Sequence, residues 1–407
     1  MISFDNTEYA FAYKSTAELK KAKFLFSLMG SSLLVKIGLA ITPYAIKWKL
    51  PFTKTLIRKT IFKQFVGGET LAETAAVAER LAKYDVQVIL DYGVEGGDDG
   101  EAGFEHAGEE FIKVIKYAAT QPNIPFMSIK VTGIARFALL EKLDETMHKM
   151  EGTLMKKYYA AIEILSAEEK NEWQAVVTRF IKICDTANAA GIGVLVDAED
   201  SWIQDPVDAI TILMMDTYNK SKAVVFNTLQ LYRHDRLKFL EESNNAAQER
   251  NFVLGTKLVR GAYMEKERLR AKEKGYPSPI QPDKKSCDED YNAAVKYCID
   301  HIDRIHLIVA SHNDISNLYT TQLLDEKELP HNHPHVHFSQ LYGMSDNITF
   351  NLAKHGCSVS KYLPFGPIED VVPYLMRRAE ENSSVAGQTG RELLLVNKEI
   401  KRREWKV

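Results

Sequence analysis

The sequence predicts an α/β chain closed as a (β/α)8 barrel of the TIM type, preceded by a helical arm and interrupted by a helical insertion. Three observations carry this. After residue 84, short apolar, β-branched runs alternate with helical stretches, as in βαβ units around a parallel sheet. Each run is apolar first and polar late, which gathers the unusual polar side chains at one rim of a barrel. Residues 1–84 show only the three- and four-residue apolar spacing of helices.

The arm comes first. TKTLIRKTIFKQF and ETLAETAAVAERLAKY are helical in period, with Gly67 and Gly68 between them. Upstream, FLFSLMGSSLLVKIGLAITPYAIKW (24–48) is broken by Lys36 and Pro43, short of the ~20 uninterrupted apolar residues of a spanning helix. A packed helical arm is expected there, with shallow membrane contact as the other reading. The strands follow as DVQVILDYG (85–93), PFMSIKVTG (125–133), GIGVLVDAED (191–200), AVVFNTLQLY (223–232), FVLGTKLVRGAY (252–263), RIHLIVASHND (304–314), HVHFSQLYGM (335–344) and CSVSKYLPFG (357–366). Their late polar residues are Asp91, Lys130, Asp197, Gln230, Arg260, His312, Gln340 and Tyr362. KLDETMHKMEGTLMKKYYAAIEIL and EWQAVVTRFIKICDTANAA exceed one barrel helix and form an insertion around 134–190. GDDGEAGFEHAGEE (97–110) reads as a loop, either a flap over the rim or a plain solvated segment. The domain reading is an arm over 1–84 and a barrel over 85–407.

Composition narrows the function. The chain has 407 residues, 45% hydrophobic and 26% charged, an ordinary globular balance. A net charge of −3 excludes a general basic footprint for nucleic acid. Cys184, Cys287, Cys298 and Cys357 form no C-x-x-C pair, which argues against a disulfide framework or a zinc site. MISFDNTEYAFAYKS lacks the layout of a secretory signal, and its Asp5 and Glu8 count against a transit peptide. A cytoplasmic location is expected, with peripheral contact at the inner face of the membrane left open.

Local motifs leave several readings. In GIGVLV (191–196) the glycines precede a strand, so it is no dinucleotide fingerprint, and no Walker-type loop occurs. His331, His333, His335 and His337 alternate along HNHPHVHF, but Pro334 interrupts and such side chains diverge, so no metal is expected. Lys130 and Lys257 sit in apolar strands and could be Schiff-base nucleophiles, partners of an acid such as Asp197, or charges beside an anionic ligand. KLVRGAYMEKE delivers Lys257 and Arg260, then Gly261 and Ala262 with almost no side-chain bulk, a place for something large to lie against the backbone. In PYLMRRAEEN, Arg377 and Arg378 are either a solvated face paired with Glu380 and Glu381 or a carboxylate clamp.

Taken together, SIKVTG, LVDAEDSW, NTLQLY, KLVRGAYMEKE, ASHND, FSQLYGMSD and YLPFGPIEDVVPYLMRRAEEN, in that order, resemble the proline dehydrogenase family. The likeness is to its single-function branch, with FDNTEYAFAYKS and FVGGET similar to that branch's N-terminal part. The resemblance implies a distorted (β/α)8 barrel and FAD held without a Rossmann domain. It also implies oxidation of L-proline to Δ1-pyrroline-5-carboxylate, with electrons passed to a membrane quinone.

Position by position, it implies that Arg377 and Arg378, helped by Lys130, grip the proline carboxylate, and that Glu95 pairs with the first arginine. Asp197 would balance the cations, while Leu341 and Tyr362 would wall the ring. Gln230, Lys257, Val259, Arg260, Gly261, Ala262, His312, Asn313 and Glu381 would contact the flavin. The chain departs from bifunctional relatives at Lys257, where they carry Arg, and at Met264, where they carry Trp. It also reads SCDEDYN, with Cys287, where relatives often place Thr. The second oxidation is expected to belong to a separate pyrroline-5-carboxylate dehydrogenase. The alternatives are a hydroxyproline dehydrogenase, a Schiff-base lyase or aldolase using Lys130 or Lys257, and a membrane-associated adaptor built on the arm.

Overall fold

The computed structural model describes residues 2–48, 50–93, 100–383 and 388–405; of Ser32, 381–383 and 388–389 it describes the backbone alone. Eight parallel strands follow one another in chain order around a closed barrel. They are β1 (Gln87–Tyr92), β2 (Phe126–Ile129), β3 (Gly193–Val196), β4 (Val225–Gln230), β5 (Leu254–Val259), β6 (Ile305–Ala310), β7 (Val336–Leu341) and β8 (Val359–Phe365). All eight lie within the runs expected from sequence.

The arm holds α1 (Thr7–Ala10), α2 (Thr16–Met29), α3 (Ser32–Lys47), α4 (Thr53–Ile57), α5 (Lys63–Phe65) and α6 (Leu71–Ala82), with a π-turn over Arg58–Phe62. Between strands run α7 (Gly100–Ala118), α8 (Phe137–His148), α9 (Leu154–Ile164), α10 (Ala167–Ala190), α11 (Gln204–Tyr218), α12 (Arg236–Glu249), α13 (Met264–Lys274), α14 (Lys284–Asp300), α15 (Asp314–Glu326) and α16 (Asp346–Lys354). After β8 come α17 (Ile368–Ser383) and α18 (Gln388–Glu404). The chain divides into two compact units, 95–338 and 1–94 with 339–407.

In the unit 95–338, register sorts the side chains into two faces. The pairs Phe126↔Gly193, Leu195↔Phe226, Thr228↔Lys257 and Lys257↔Ile308 put alternate residues of β2–β6 on one face. The other face meets helices, as where the Asn227 side-chain amide donates to Asp208 on α11 at 2.9 Å. The inward face is therefore the barrel interior. Its floor is aromatic: Phe126 meets Phe226 edge-on at 5.6 Å and His337 at 5.0 Å. Gly193 makes room for it, since a Cβ there would lie 2.5 Å from the Phe126 ring. This is the role of the second glycine in GIGVLV.

The loop expected over 97–110 is corrected from Gly100 onward, where α7 begins; 97–99 lie outside the described residues. Burial explains it: Phe104, Ala107, Gly108, Phe111, Val114, Ile115 and Ala118 make one helical stripe. The acidic, glycine-rich start of the segment masked that period. The histidines of HNHPHVHF do not share one environment. His331 meets Asp325 at 2.8 Å, His335 stacks on His306 at 3.7 Å, and burial holds His337 down at about 3, neutral near pH 7.

In the other unit β1 and β8 pair with Ile89 opposite Tyr362 and Asp91 opposite Pro364. Lys361, the residue before Tyr362, faces away from it and is fully buried, 2.9 Å from Asp346. Lys14 also reaches Asp346 at 2.9 Å, and the Tyr13 hydroxyl donates to it at 2.9 Å. Burial works against the Asp346 charge, but the two ammonium groups outweigh it and hold the carboxyl at about 2. The beginning of the chain is thus fixed to β8 by buried charge. A second bond is apolar: Phe26, Met29, Phe62, Phe65, Ile368, Val371 and Leu375 form one core between the arm helices and α17.

Candidate functional site

The ends of β2–β5 collect the expected residues of the unit 95–338. Lys130 follows β2 as the extended residue before a 3-10 turn, buried at 8% exposure. Asp197 follows β3, its amide donating to the Ile129 carbonyl at 2.8 Å. Lys257, inward on β5 and 4% exposed, forms an ion pair with Asp197. Of the readings open for Lys257, pairing with Asp197 is therefore the one this geometry displays. Burying an ammonium so deeply is costly unless an opposite charge meets it.

Past Val259 the backbone opens. Val259 and Arg260 are half-buried, and Gly261 and Ala262 are exposed. Gly261 has φ +137°, and a Cβ there would come within 2.5 Å of the Tyr232 ring. The position demands glycine for both reasons. The Ala262 amide donates to Gln230 Oε1 at 3.4 Å, while Gln230 Nε2 donates to the Glu199 carbonyl at 2.7 Å. Gln230 is thereby held from both ends of its amide.

Arg260 is immobilised. Its guanidinium donates to Asp288 at 2.7 Å, to Ser311 Oγ at 2.7 Å and to Ser316 Oγ at 2.9 Å, and lies over the Tyr291 ring at 4.3 Å. Asn313 caps α15 by accepting from the Ser316 amide at 3.1 Å, and its own amide donates to Ser311 Oγ at 3.1 Å. His312 sits half-buried just before it. Lys257, Arg260, Gln230, Val259, Gly261, Ala262, His312 and Asn313 thus cluster at successive strand ends of this unit. Cys287, noted for its departure, is buried on α14, and burial pushes its thiol up to about 11. It is a neutral packing residue at ordinary pH.

Sequence reading missed the residues that hold these ends in place. Glu199 accepts from the Thr132 hydroxyl at 2.7 Å and from its amide at 3.3 Å, joining the turns after β2 and β3. Glu267 accepts from the Ser201 amide at 2.7 Å and hydroxyl at 2.6 Å, joining α13 to the turn after β3. The available signal was the acid density of DAED: one acid too many for a solvated turn beside apolar strands.

The other unit carries Leu341, Tyr362, Arg377 and Arg378. Leu341 ends β7 half-buried; Tyr362 is half-buried on β8, its carbonyl accepting from the Tyr342 amide at 2.9 Å. On α17, Arg378 is buried with its guanidinium 5.2 Å from the Tyr374 ring centre, and Arg377 is half-buried. A purely solvated arginine pair is thereby ruled out. Arg377 also lines an open cleft of about 500 Å³ between α3 and α17, with Pro43, Ile46, Val372 and Met376. Glu95 lies outside the described residues, as does the Glu381 side chain.

Among described residues, one further cluster has ligand-type side chains: Asp144, His148 and Asp205. His148 Nδ1 stands 3.0 Å from an Asp144 oxygen, and that bond raises the imidazole to about 9. At neutral pH the imidazolium itself supplies the positive charge there.

Comparison with known proteins bears on the family and the fold. The family model described as proline dehydrogenase matches residues 74–391. Proline dehydrogenase 1, mitochondrial, of Dictyostelium discoideum is 32% identical over 387 residues, covering 87% of this chain and 67% of the relative. Hydroxyproline dehydrogenase of Xenopus laevis is 32% identical over 365 residues, covering 85% of this chain and 78% of the relative. Among solved structures, proline utilization A (PutA) from Bdellovibrio bacteriovorus, inactivated by N-propargylglycine, superposes with a TM-score of 0.70. It is 18% identical and covers 93% of this chain, which spans 38% of that longer protein; the likeness shows the fold alone. With a family match over most of its length and the barrel that such a fold requires, the chain belongs to the proline dehydrogenase family of enzymes.

Proposed function

We propose that the protein oxidises L-proline to Δ1-pyrroline-5-carboxylate with FAD as cofactor and passes the electrons to a membrane quinone. The observation that carries the cofactor reading is the bare, glycine-opened strand end at Gly261 and Ala262 with the fixed cations Lys257 and Arg260 beside it. This donor set suits a ligand that is part phosphate and part flat heterocycle. Gln230, Lys257, Val259, Arg260, Gly261, Ala262, His312, Asn313 and Glu381 would hold it. The chemistry that FAD supplies when bound is acceptance of the hydride from the ring carbon beside the proline nitrogen.

The chain's own residues then bind and orient. Arg377 and Arg378, with Lys130, take the substrate carboxylate; the half-buried and buried settings of the two arginines favour a fixed grip over a floppy one. Asp197 offsets the Lys257 charge. Tyr362 and Leu341 wall the ring, and Glu95 pairs with the first arginine. The substrate amine gives its proton to solvent before the carbon–nitrogen double bond forms. A separate pyrroline-5-carboxylate dehydrogenase takes the product on. Location is at the cytoplasmic side with peripheral membrane contact.

Hydroxyproline is the second reading, favoured by the hydroxyproline dehydrogenase relative. Tyr362, walling the ring, would crowd a ring hydroxyl, which favours proline. Anaerobic titration of the flavin-loaded protein with L-proline, read in the visible spectrum, tests both. Bleaching by proline that disappears in the Arg377→Met, Arg378→Met protein supports the reading. A flavin band indifferent to proline but bleached by trans-4-hydroxy-L-proline moves the substrate to hydroxyproline, and absence of any flavin after reconstitution rejects the cofactor.

A further inference from the structure

From Leu19 to Val66 and on through Gly68, between Glu18 and Glu69, the chain carries nine lysines and one arginine without a single acidic residue. The protein as a whole is slightly acidic at −3, so positive charge is concentrated in the arm. Helix α2, from Leu19 on, and helix α3 lie in this stretch and meet at a bend of 92°.

Helix α3 is apolar on two sides. One stripe, with Val35, Ala45 and the half-buried Leu39 and Ile46, faces the protein. The opposite stripe is Leu33, Ile37, Ile41, Tyr44 and Trp48, three to four residues apart and therefore in line. All five are exposed, Trp48 at 68%. The patch continues past the helix with Leu50, Phe52 and Leu56, Phe52 being 83% exposed. A continuous apolar surface of this size marks a place of contact.

We infer that this stripe is a docking surface for an anionic phospholipid bilayer, with α3 lying in the interfacial plane. Charge complementarity selects the occupant: Lys36, Lys47 and Lys59 are exposed along the same stretch as the apolar residues, and anionic headgroups answer them, while Lys54 and Arg58 already meet Glu369 and Glu69. Trp48 and Tyr44 have the amphipathic rings that settle at headgroup depth. A second copy of the chain is the poorer occupant, because it would bring its own acid-free stretch 19–68 against this one. Among described residues no single helix is long and apolar enough to cross a membrane, and α2 and α3 reach that length only together, across their 92° bend. The inference deepens the peripheral-membrane part of the proposed function and is independent of which substrate the site takes.

The test is flotation of the purified full chain with large unilamellar vesicles, either phosphatidylcholine alone or phosphatidylcholine with phosphatidylglycerol. Binding to the anionic vesicles is expected to exceed binding to the neutral ones by more than about tenfold and to weaken in high salt. The Ile37→Ser, Ile41→Ser, Trp48→Ser protein should lose at least about tenfold in binding. Its unfolding temperature and its proline oxidation with a soluble dye acceptor should stay as in the parent. Lys36→Gln, Lys47→Gln, Lys59→Gln should lose the preference for anionic lipid. Equal binding to both vesicle types, binding unchanged in the apolar variant, or a self-association of the free chain that the apolar variant abolishes would each overturn the inference. Failure of the substrate reading would appear separately, as loss of dye reduction in the parent itself.

Discussion

Lys257 on β5 and Asp197 at the end of β3 form an ion pair across the intervening strand β4. Because Lys257 is buried, removing Asp197 alone takes away its paired carboxylate while the ammonium stays in the interior. Asp197→Ala is therefore expected to cost about 3–5 kcal/mol of unfolding free energy, with Lys257→Met, Asp197→Ala together costing much less than the sum of the singles. Chemical denaturation of the two singles and the double measures this. Lys257→Met should also slow proline-dependent flavin reduction by about 100-fold or more, a loss that the double variant does not recover.

Asp346 is the acid that binds Lys14 and Lys361, and its carboxyl is held at about 2 in the folded chain against 3.8 ordinarily. A carboxyl depressed by folding stabilises above its unfolded value and loses that contribution as pH falls through the folded one. The window is thus from about pH 4 down to 2, and the contribution is on the order of 2 kcal/mol. Asp346→Asn should be less stable than the parent at pH 6, with the gap closing toward pH 2 in denaturant titrations.

Gly261 should tolerate no side chain. Gly261→Ala places a methyl against the Tyr232 ring with backbone φ at +137°, an expected loss of about 1–3 kcal/mol. If the strand end is the cofactor's bed, FAD content of the purified protein falls as well. Gly261→Ala, Tyr232→Leu should restore stability in part, because it removes the clash and leaves only the backbone strain.

His148 is raised by Asp144 to about 9 from 6.5. A base raised by folding stabilises fully below 6.5 and loses that contribution as pH rises to 9. The ring is more than half exposed, so solvent screening limits the effect to about 1 kcal/mol or less. The melting temperature of His148→Gln should track the parent's above pH 9 and fall below it at pH 6.

Much of the barrel was legible because its signal is local. A four- to seven-residue strand buried on both faces must be a near-continuous apolar run, and all eight runs show it. The late polar positions were legible for the same reason: Lys130, Asp197, Gln230 and Lys257 interrupt apolar runs where nothing but a site or an ion pair excuses them. Helix α7 was not, since its buried stripe begins inside a glycine-rich acidic stretch whose composition reads as turn. Glu199 and Glu267 escaped because their partners, Thr132 and Ser201, lie 67 and 66 residues away. Nothing in a strand's own sequence announces a hydrogen bond to a distant loop. The Lys361–Asp346 pair escaped for a related reason: Lys361 looked like one polar residue among several in CSVSKYLPFG, and only three-dimensional closure buries it.

The strict alternation along β5 has a consequence for how such a protein can be changed. Lys257 and Val259 face the interior, while Thr256 and Leu258 serve the shell of helices. An interior-facing and a helix-facing register thus alternate along the same six-residue strand. A laboratory selection that randomises Val259 would reshape the interior face, whereas Gly255, where a Cβ would run into the Val225 carbonyl, and the ion-paired Lys257 belong to the scaffold. One that randomises even positions would adjust robustness and leave the reaction as it is.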